Sequence, residues 1–310
     1  MTIPSPARAL LSILASLMVV LAAGCTGSPD GGQAGGGGVP SSSPAPRFRQ
    51  PRVGDCYAPE VSSRRMSYLR PADMRLVDSC DVRHITETIQ VGELTGPAAR
   101  YEQPAAGVDL SEAYTACDAA SAAFLGGDRH TGRVRLRVLP PSGEQWSAGA
   151  RFFHCDLIEA NTFDQDAEMI EREGSLKAAL SGDTPPLAEG CSIWPEEPDD
   201  LRPVHGLLPA PCTSAHQLEF AGIVVTGPRA YPDTTDLMHV VFGADCDPVV
   251  AKYLGMTRSQ LANHRQIRSV WWPTDRESWD NGDRSARCYA TTFDNRTLTK
   301  PLKGAGNVKL

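Results

Sequence analysis

Val77-Asp78-Ser79-Cys80-Asp81-Val82-Arg83-His84 and Pro209-Ala210-Pro211-Cys212-Thr213-Ser214-Ala215-His216 are one passage written twice in the same chain. Upstream, Gly54-Asp55-Cys56 answers to Glu189-Gly190-Cys191. Downstream, each copy runs through an extended stretch into a Thr-Gly-Pro turn, Thr95-Gly96-Pro97 and Thr226-Gly227-Pro228. Cys117 with Phe124-Leu125-Gly126 matches Cys246 with Tyr253-Leu254-Gly255. Trp146, Gly149, Arg151 and Cys155 match Trp279, Gly282, Arg284 and Cys288, all shifted equally. Thr162-Phe163-Asp164 recurs as Thr292-Phe293-Asp294, and Leu176-Lys177 as Leu302-Lys303. A period of about 130 residues is domain-sized rather than solenoid-sized, and each unit is long enough to bury a core of its own.

The expected fold class is α+β: two tandem homologous, disulfide-stapled domains, each a small antiparallel sheet with one packed helix. A strand is expected near the first cysteine and another over 85–94. The helix falls around the third cysteine, and two strands follow, the last carrying the fourth cysteine. Leu110, Ala113, Cys117, Ala120, Phe124 and Leu125 recur at three- and four-residue steps, which predicts a helix whose apolar stripe faces inward. Leu237, Cys246, Val249, Val250, Tyr253 and Leu254 are read as the same stripe in the second unit. A further short helix is expected over 168–180, although Gly174 weakens it.

Eight cysteines in two matching quartets read as four disulfides, the usual state of an exported chain. Each quartet allows three pairings. First with second and third with fourth is favoured: Cys56–Cys80, Cys117–Cys155, Cys191–Cys212 and Cys246–Cys288. The second pair of each set rests on a helix stripe packed against a strand; the first rests on proximity in sequence. Metal is the competing use. Cys80-x3-His84 and Cys212-x3-His216 look like ligand pairs, each followed by a carboxylate, Glu87 and Glu219. Zinc sites usually carry a Cys-x2–4-Cys doublet, which is missing. On a strand, residues three apart also point to opposite faces, so one metal could hold both only if a turn intervened. No metal and no cofactor is therefore expected.

The ninth cysteine, Cys25, follows an apolar run from Ala9 to Ala23. That run is shorter than the ~20 residues of a spanning helix and reads as the core of an export signal behind Arg8. Leu21-Ala22-Ala23-Gly24-Cys25 resembles a lipobox, with the Leu one place early. There the thiol is acylated and the chain is cut just before it; an ordinary secretory signal is the plainer alternative. Thr26 to Arg52, rich in Gly, Ser and Pro, is expected to be a flexible tether reaching about 25–30 Å. Arg47, Arg49 and Arg52 near its end suit anionic lipid or plain solvation. The expected organisation is a signal peptide at 1–24, a linker at 25–52, a first domain at 53–180, a linker at 181–187 and a second domain at 188–310.

These residues, taken in order, resemble the septum-formation family of actinobacterial lipoproteins and membrane proteins. The resemblance is carried by Gly54-Asp55-Cys56, Val77 to Glu87, Cys117, Trp146 to Cys155 and Ser175-Leu176-Lys177. The second unit departs from it, with Glu189-Gly190 for Gly-Asp and Pro301 for the serine. The resemblance implies a role in the cell envelope connected with division. It implies no reaction, so no catalytic residue is carried over.

No nucleophile elbow, zinc-protease helix, phosphate loop or dinucleotide fingerprint occurs. The formal charge of −7 argues against nucleic acid. Glu196-Glu197 and Asp199-Asp200, flanked by Pro195 and Pro198, read as a solvated loop. Trp146 and Trp279 each have two readings: a Trp that closes a turn against the last disulfide, or part of a carbohydrate or peptide platform. Trp271 and Trp272, standing where the first unit has Val138 and Leu139, favour the platform slightly. Arg151 and Arg284 are expected to anchor a loop by ion pairing, with a ligand carboxylate as the lesser alternative. The functional expectation is a non-enzymatic binding or scaffolding protein held at the outer face of the cell membrane by Cys25. Its partner would be a cell-wall component or division protein. The alternative is an envelope hydrolase using His84 or His216.

Overall fold

The computed structural model describes residues 48–61, 71–161, 169–193 and 207–307. Cys25, the signal segment and most of the tether lie outside these residues. So do Thr162-Phe163-Asp164, Glu168 and the acidic run at 196–200. At the end of the tether, Arg49 donates from both terminal nitrogens to Asp55, at 2.7 and 2.8 Å.

The first half contains Cys56–Pro59 (β1), Met74–Leu76 (β2), Thr86–Glu93 (β3), Ser111–Leu125 (α1), Val134–Leu139 (β4), Gly143–Ser147 (α2) and Phe152–Glu159 (β5). Its strands form one antiparallel sheet in the order β2-β1-β3-β5-β4. The interior strand β5, between β3 and β4, is buried almost throughout. Phe153, Cys155 and Leu157 lie in the main core with Cys117 and Leu125 of α1, while Ile158 meets Ile85 and Met169 in a separate cluster. Helix α1 ends where Gly126 turns left-handed (φ 74°) and donates to the Ala122 carbonyl, a backbone state that glycine adopts without steric cost. Gly92 has a different reason: a Cβ there would lie 2.3 Å from the Phe153 ring.

The second half contains Cys191–Ile193 (β6), Leu208–Ala210 (β7), Leu218–Val225 (β8), Thr235–Met238 (α3), Ala244–Leu254 (α4), Arg258–Ala262 (α5), Ile267–Pro273 (β9), Arg276–Asp280 (α6) and Ser285–Thr292 (β10). Its sheet order, β7-β6-β8-β10-β9, repeats the first. Even the irregularity repeats. One extra residue, Ile89 in the central strand β3 and Ala221 in the central strand β8, bulges beside the cysteine of the neighbouring strand, Cys155 or Cys288.

All four cystines have the favoured pairing, with Cα–Cα separations of 5.0 to 5.4 Å. Cys117–Cys155 ties α1 to β5, and Cys246–Cys288 ties α4 to β10. Cys56–Cys80 and Cys191–Cys212 tie the first strand of each half to the loop that leads into the next long strand. In the chain-entropy model, loops of this size each contribute roughly 3–4 kcal/mol.

Three expectations about elements need correction. The segment expected to be helical over 168–180 is, from Met169 onward, bridge and turn: Met169 pairs with Ala160, Arg172 pairs with His84, and Ala178 turns left-handed at φ 60°. Its backbone faces Glu87 instead of closing on itself, and Leu176 N–H donates to that carboxylate at 2.7 Å. Leu237 is not on the inward stripe of the second helix and is 51% exposed. It stands nine residues before Cys246, about two and a half turns, which puts it on the opposite side. A π-helical turn, His239–Gly243, intervenes, and Phe242 fills the buried place. The single helix expected per half is accompanied by short ones, of which α2 and α6 carry Trp146 and Trp279.

The segment at 181–187, expected to be a linker, places Leu187 in the core of the first half. Arg133 N–H donates to Leu187, Glu189 N–H donates to Thr131, and Gly132 forms an antiparallel bridge with Ala188. Beyond this seam the halves meet through buried charge. Arg129 pairs with Asp283 at 2.7 Å and with Asp118 at 2.6 Å. Tyr114 donates to Asp283 at 3.1 Å, and His130 bridges Asp128 and Asp283 at 2.6 and 3.1 Å. Arg135 pairs with Asp275 nearby. Burial alone would raise the Asp283 carboxyl, but Arg129 and His130 outweigh it and hold the group well below the usual carboxylate range. Burial pulls His130 down, yet its bonds to Asp128 and Asp283 leave it raised. Burial lowers Arg287, whose guanidinium faces the Arg129 and Gly132 carbonyls at 3.4 Å, to about 10.

Candidate functional site

The His-x2-Glu pairs are the chemical centre of each half. The side chains, expected to diverge on an unbroken strand, converge because the chain bends between them. His84 lies just before β3, held by its bridge to Arg172, and the chain bends at Ile85 before the strand begins at Thr86. The bend breaks the two-residue alternation. As a result, donor atoms of Cys56, Cys80, His84 and Glu87 all lie within 4.8 Å of one another. Cys191, His216 and Glu219 converge equally in the second half. The cysteines are joined as cystines, so their sulfurs are not thiolates here, and thiolate is the form that binds metal.

Both histidines are 0% exposed. His84 Nδ1 donates to the Val82 carbonyl and His216 Nδ1 to the Ser214 carbonyl, each at 2.7 Å. Nε2 then distinguishes them. His216 Nε2 meets Glu219 Oε1 at 2.8 Å, whereas His84 Nε2 is buried without a hydrogen-bond partner. Glu219 is otherwise held by Leu302 N–H at 2.7 Å and by the Tyr253 hydroxyl at 2.8 Å. Burial and the Glu219 carboxylate both raise the Tyr253 phenol. Glu87 instead accepts from the Ser175 hydroxyl and Leu176 N–H, both at 2.7 Å.

The candidate binding residues separate. Trp146 and Trp279 are buried, and their indole N–H groups donate to the Tyr101 and Arg229 carbonyls at 2.9 and 3.0 Å. They close loops and present no face to a ligand. Trp146 shares the core with Cys155, while Trp279 packs edge-on against Phe242 and Tyr231. Arg151 stacks 3.9 Å from the Trp146 ring and donates to the carbonyls of Ala99, Trp146 and Ala150. It anchors its loop through backbone oxygens rather than through the expected ion pair. Arg284 stacks on Trp279 at 4.9 Å.

Trp271 and Trp272 lie together on the edge strand β9 and are half-buried. With Tyr231, Met238, Asp233 and Arg276 they line a cavity of about 470 Å³. Trp271 also meets His239 edge-on at 4.6 Å, which brings the π-helical turn to the cavity's rim. The matching strand of the first half carries Val138 and Leu139 there.

A family model for septum formation matches residues 53–288. The chain belongs to the septum-formation family. The match to this family runs as one span across both halves, in keeping with the seam that joins them. No curated protein and no solved structure matches the chain. Family membership points to an envelope-associated protein with a septum-related role, and no described helix is long and apolar enough to cross a membrane.

Proposed function

We propose that this septum-formation protein is a lipid-anchored binding or scaffolding module at the outer face of the cell membrane. The lipid is carried by Cys25, and the partner is a cell-wall component or a division protein. The observation that carries the binding reading is the aromatic cavity at the edge of the second sheet. It is concave, lined by Tyr231, Trp271 and Trp272, and rimmed by Asp233 and Arg276, the mixture that ligand sites favour. The seam between the halves supports a scaffold of fixed geometry. A hydrolase built on His84 or His216 draws no support, since both imidazoles are fully buried and a general base must reach its substrate.

Proximity labelling in the native host tests this. An envelope or division protein is expected among the labelled products of the wild type and is expected to be depleted for Trp272→Ala. Equal labelling by both would remove the cavity from the binding reading. Substituting Cys25→Ser is expected to release the protein from membranes; undiminished membrane association would defeat the anchor.

A further inference from the structure

We propose that the first half holds a latent zinc site, closed by the Cys56–Cys80 disulfide and opened when a dithiol reduces it. The site goes beyond the scaffolding reading and does not depend on it. Four donors of the right kinds converge there: two sulfurs, one imidazole nitrogen and one carboxylate, all within 4.8 Å of one another. Tetrahedral zinc with bonds of about 2.0–2.3 Å needs donors about 3.3–3.8 Å apart, so small side-chain shifts suffice. Two thiolates, one histidine and one carboxylate suit zinc better than the harder magnesium or calcium ions.

The decisive observation is His84 Nε2. The ring is 0% exposed, and this atom has no hydrogen-bond partner. A buried polar atom left unmet keeps its full desolvation penalty, so such an atom calls for a role. Nδ1–H is spent on the Val82 carbonyl, which leaves the Nε2 lone pair free. Metal-bound histidines are commonly oriented by just such a bond from their other nitrogen. Glu87 is likewise steadied by Ser175 and Leu176. The second half supplies an internal control. Its Nε2 is already engaged by Glu219, and Cys212 does not join its convergent set.

The chemistry balances. Cys80 is half-buried while Cys56 is 1% exposed, so one thiolate of the dithiol attacks Cys80 Sγ, the S–S bond breaks, and Cys56 leaves as a thiolate that takes a proton. The second thiol of the dithiol then closes onto its own sulfur and frees Cys80. Two electrons and two protons pass to the protein, and the dithiol departs as a cyclic disulfide. Zinc then binds both sulfurs and displaces the two thiol protons. Cys117, Cys155, Cys246 and Cys288 are all 0% exposed, so a mild reductant leaves their cystines intact. Cys191–Cys212, with Cys191 2% exposed and Cys212 half-buried, opens as readily as Cys56–Cys80, and the second half then stands as the control with its sulfurs equally free.

The test uses the full chain, reduced under native conditions with a dithiol that is then removed by anaerobic desalting, and titrated with zinc against a chromophoric chelator. One zinc per reduced chain and none per oxidised chain is the expected result. Cobalt in place of zinc should give a thiolate charge-transfer band and the intense d–d bands of a tetrahedral site. H84A should weaken zinc binding by more than about 100-fold, beyond the 10–100-fold scale of lost supporting groups. H216A should leave it unchanged. E87Q, which keeps side-chain size, should weaken binding even where H84A fails to fold. A stoichiometry of zero or two, no thiolate–cobalt band, or wild-type affinity in H84A or E87Q would overturn the proposal.

Discussion

The two halves share a sheet order, a bulge, two cystines and a buried His-x2-Glu pair, yet they satisfy the buried carboxylate with different donors. In the first half Ser175 supplies a hydroxyl where the second has Pro301, which has none. In the second half Tyr253 supplies a phenol where the first has Phe124. Only the peptide N–H, from Leu176 or Leu302, is common to both. The fold therefore demands a satisfied carboxylate and leaves the identity of one donor free. It is less strict about the histidine, whose Nε2 bonds the carboxylate in one half and stands unpartnered in the other.

The comparison breaks hardest where the halves meet. Asp283 corresponds to Ala150, so its charge belongs to the second half alone. Asp283→Ala leaves Arg129 buried without its closest carboxylate across the seam and is expected to cost about 3–5 kcal/mol in denaturant unfolding. A loss below about 1 kcal/mol would mean that solvent already carries the charge. Tyr253→Phe makes the second carboxylate resemble the first without giving it a serine. Losing a hydrogen bond to a charged acceptor is expected to cost about 1.5–3 kcal/mol, whereas no change would show that Leu302 and His216 suffice. The smallest effect belongs to His130. Its folded value is raised, so its stabilising contribution is complete below the ordinary imidazole value near 6.5 and is lost as pH rises through the raised value. The stability gap between the wild type and His130→Gln, on the order of 1 kcal/mol or less, is thus expected to be wider at about pH 6 than at about pH 9. A gap that widens with pH would reverse the assigned sign.

Much of this architecture is legible in the chain. Cysteine spacing and the helical stripe through Cys117 are local signals, and the strands they predict are present. What stayed hidden depends on single residues or on distance. One bend at Ile85 makes His84 and Glu87 converge, and strand alternation cannot register it. Arg129, His130 and Asp283 occur as scattered charges with no period, and only the seam between the halves gathers them. The 168–180 segment reads as a helix until its partner is known, because Glu87 takes the Leu176 N–H from more than eighty residues away. Trp271 and Trp272 were visible as a departure from the repeat, but the π-helical turn beside them gave no sign.

The four cystines also govern how the chain responds to tension. A pull from the N-terminal side arrives at Cys56, and the 24-residue span to Cys80 is bypassed covalently. Spans of 38, 21 and 42 residues are shunted in the same way, so a stretched molecule can pay out only the segments between its crosslinks. Opening the Cys246–Cys288 bond alone would release about 140–150 Å of slack at full extension. Redox state thus sets how far the chain can extend once its folded segments give way.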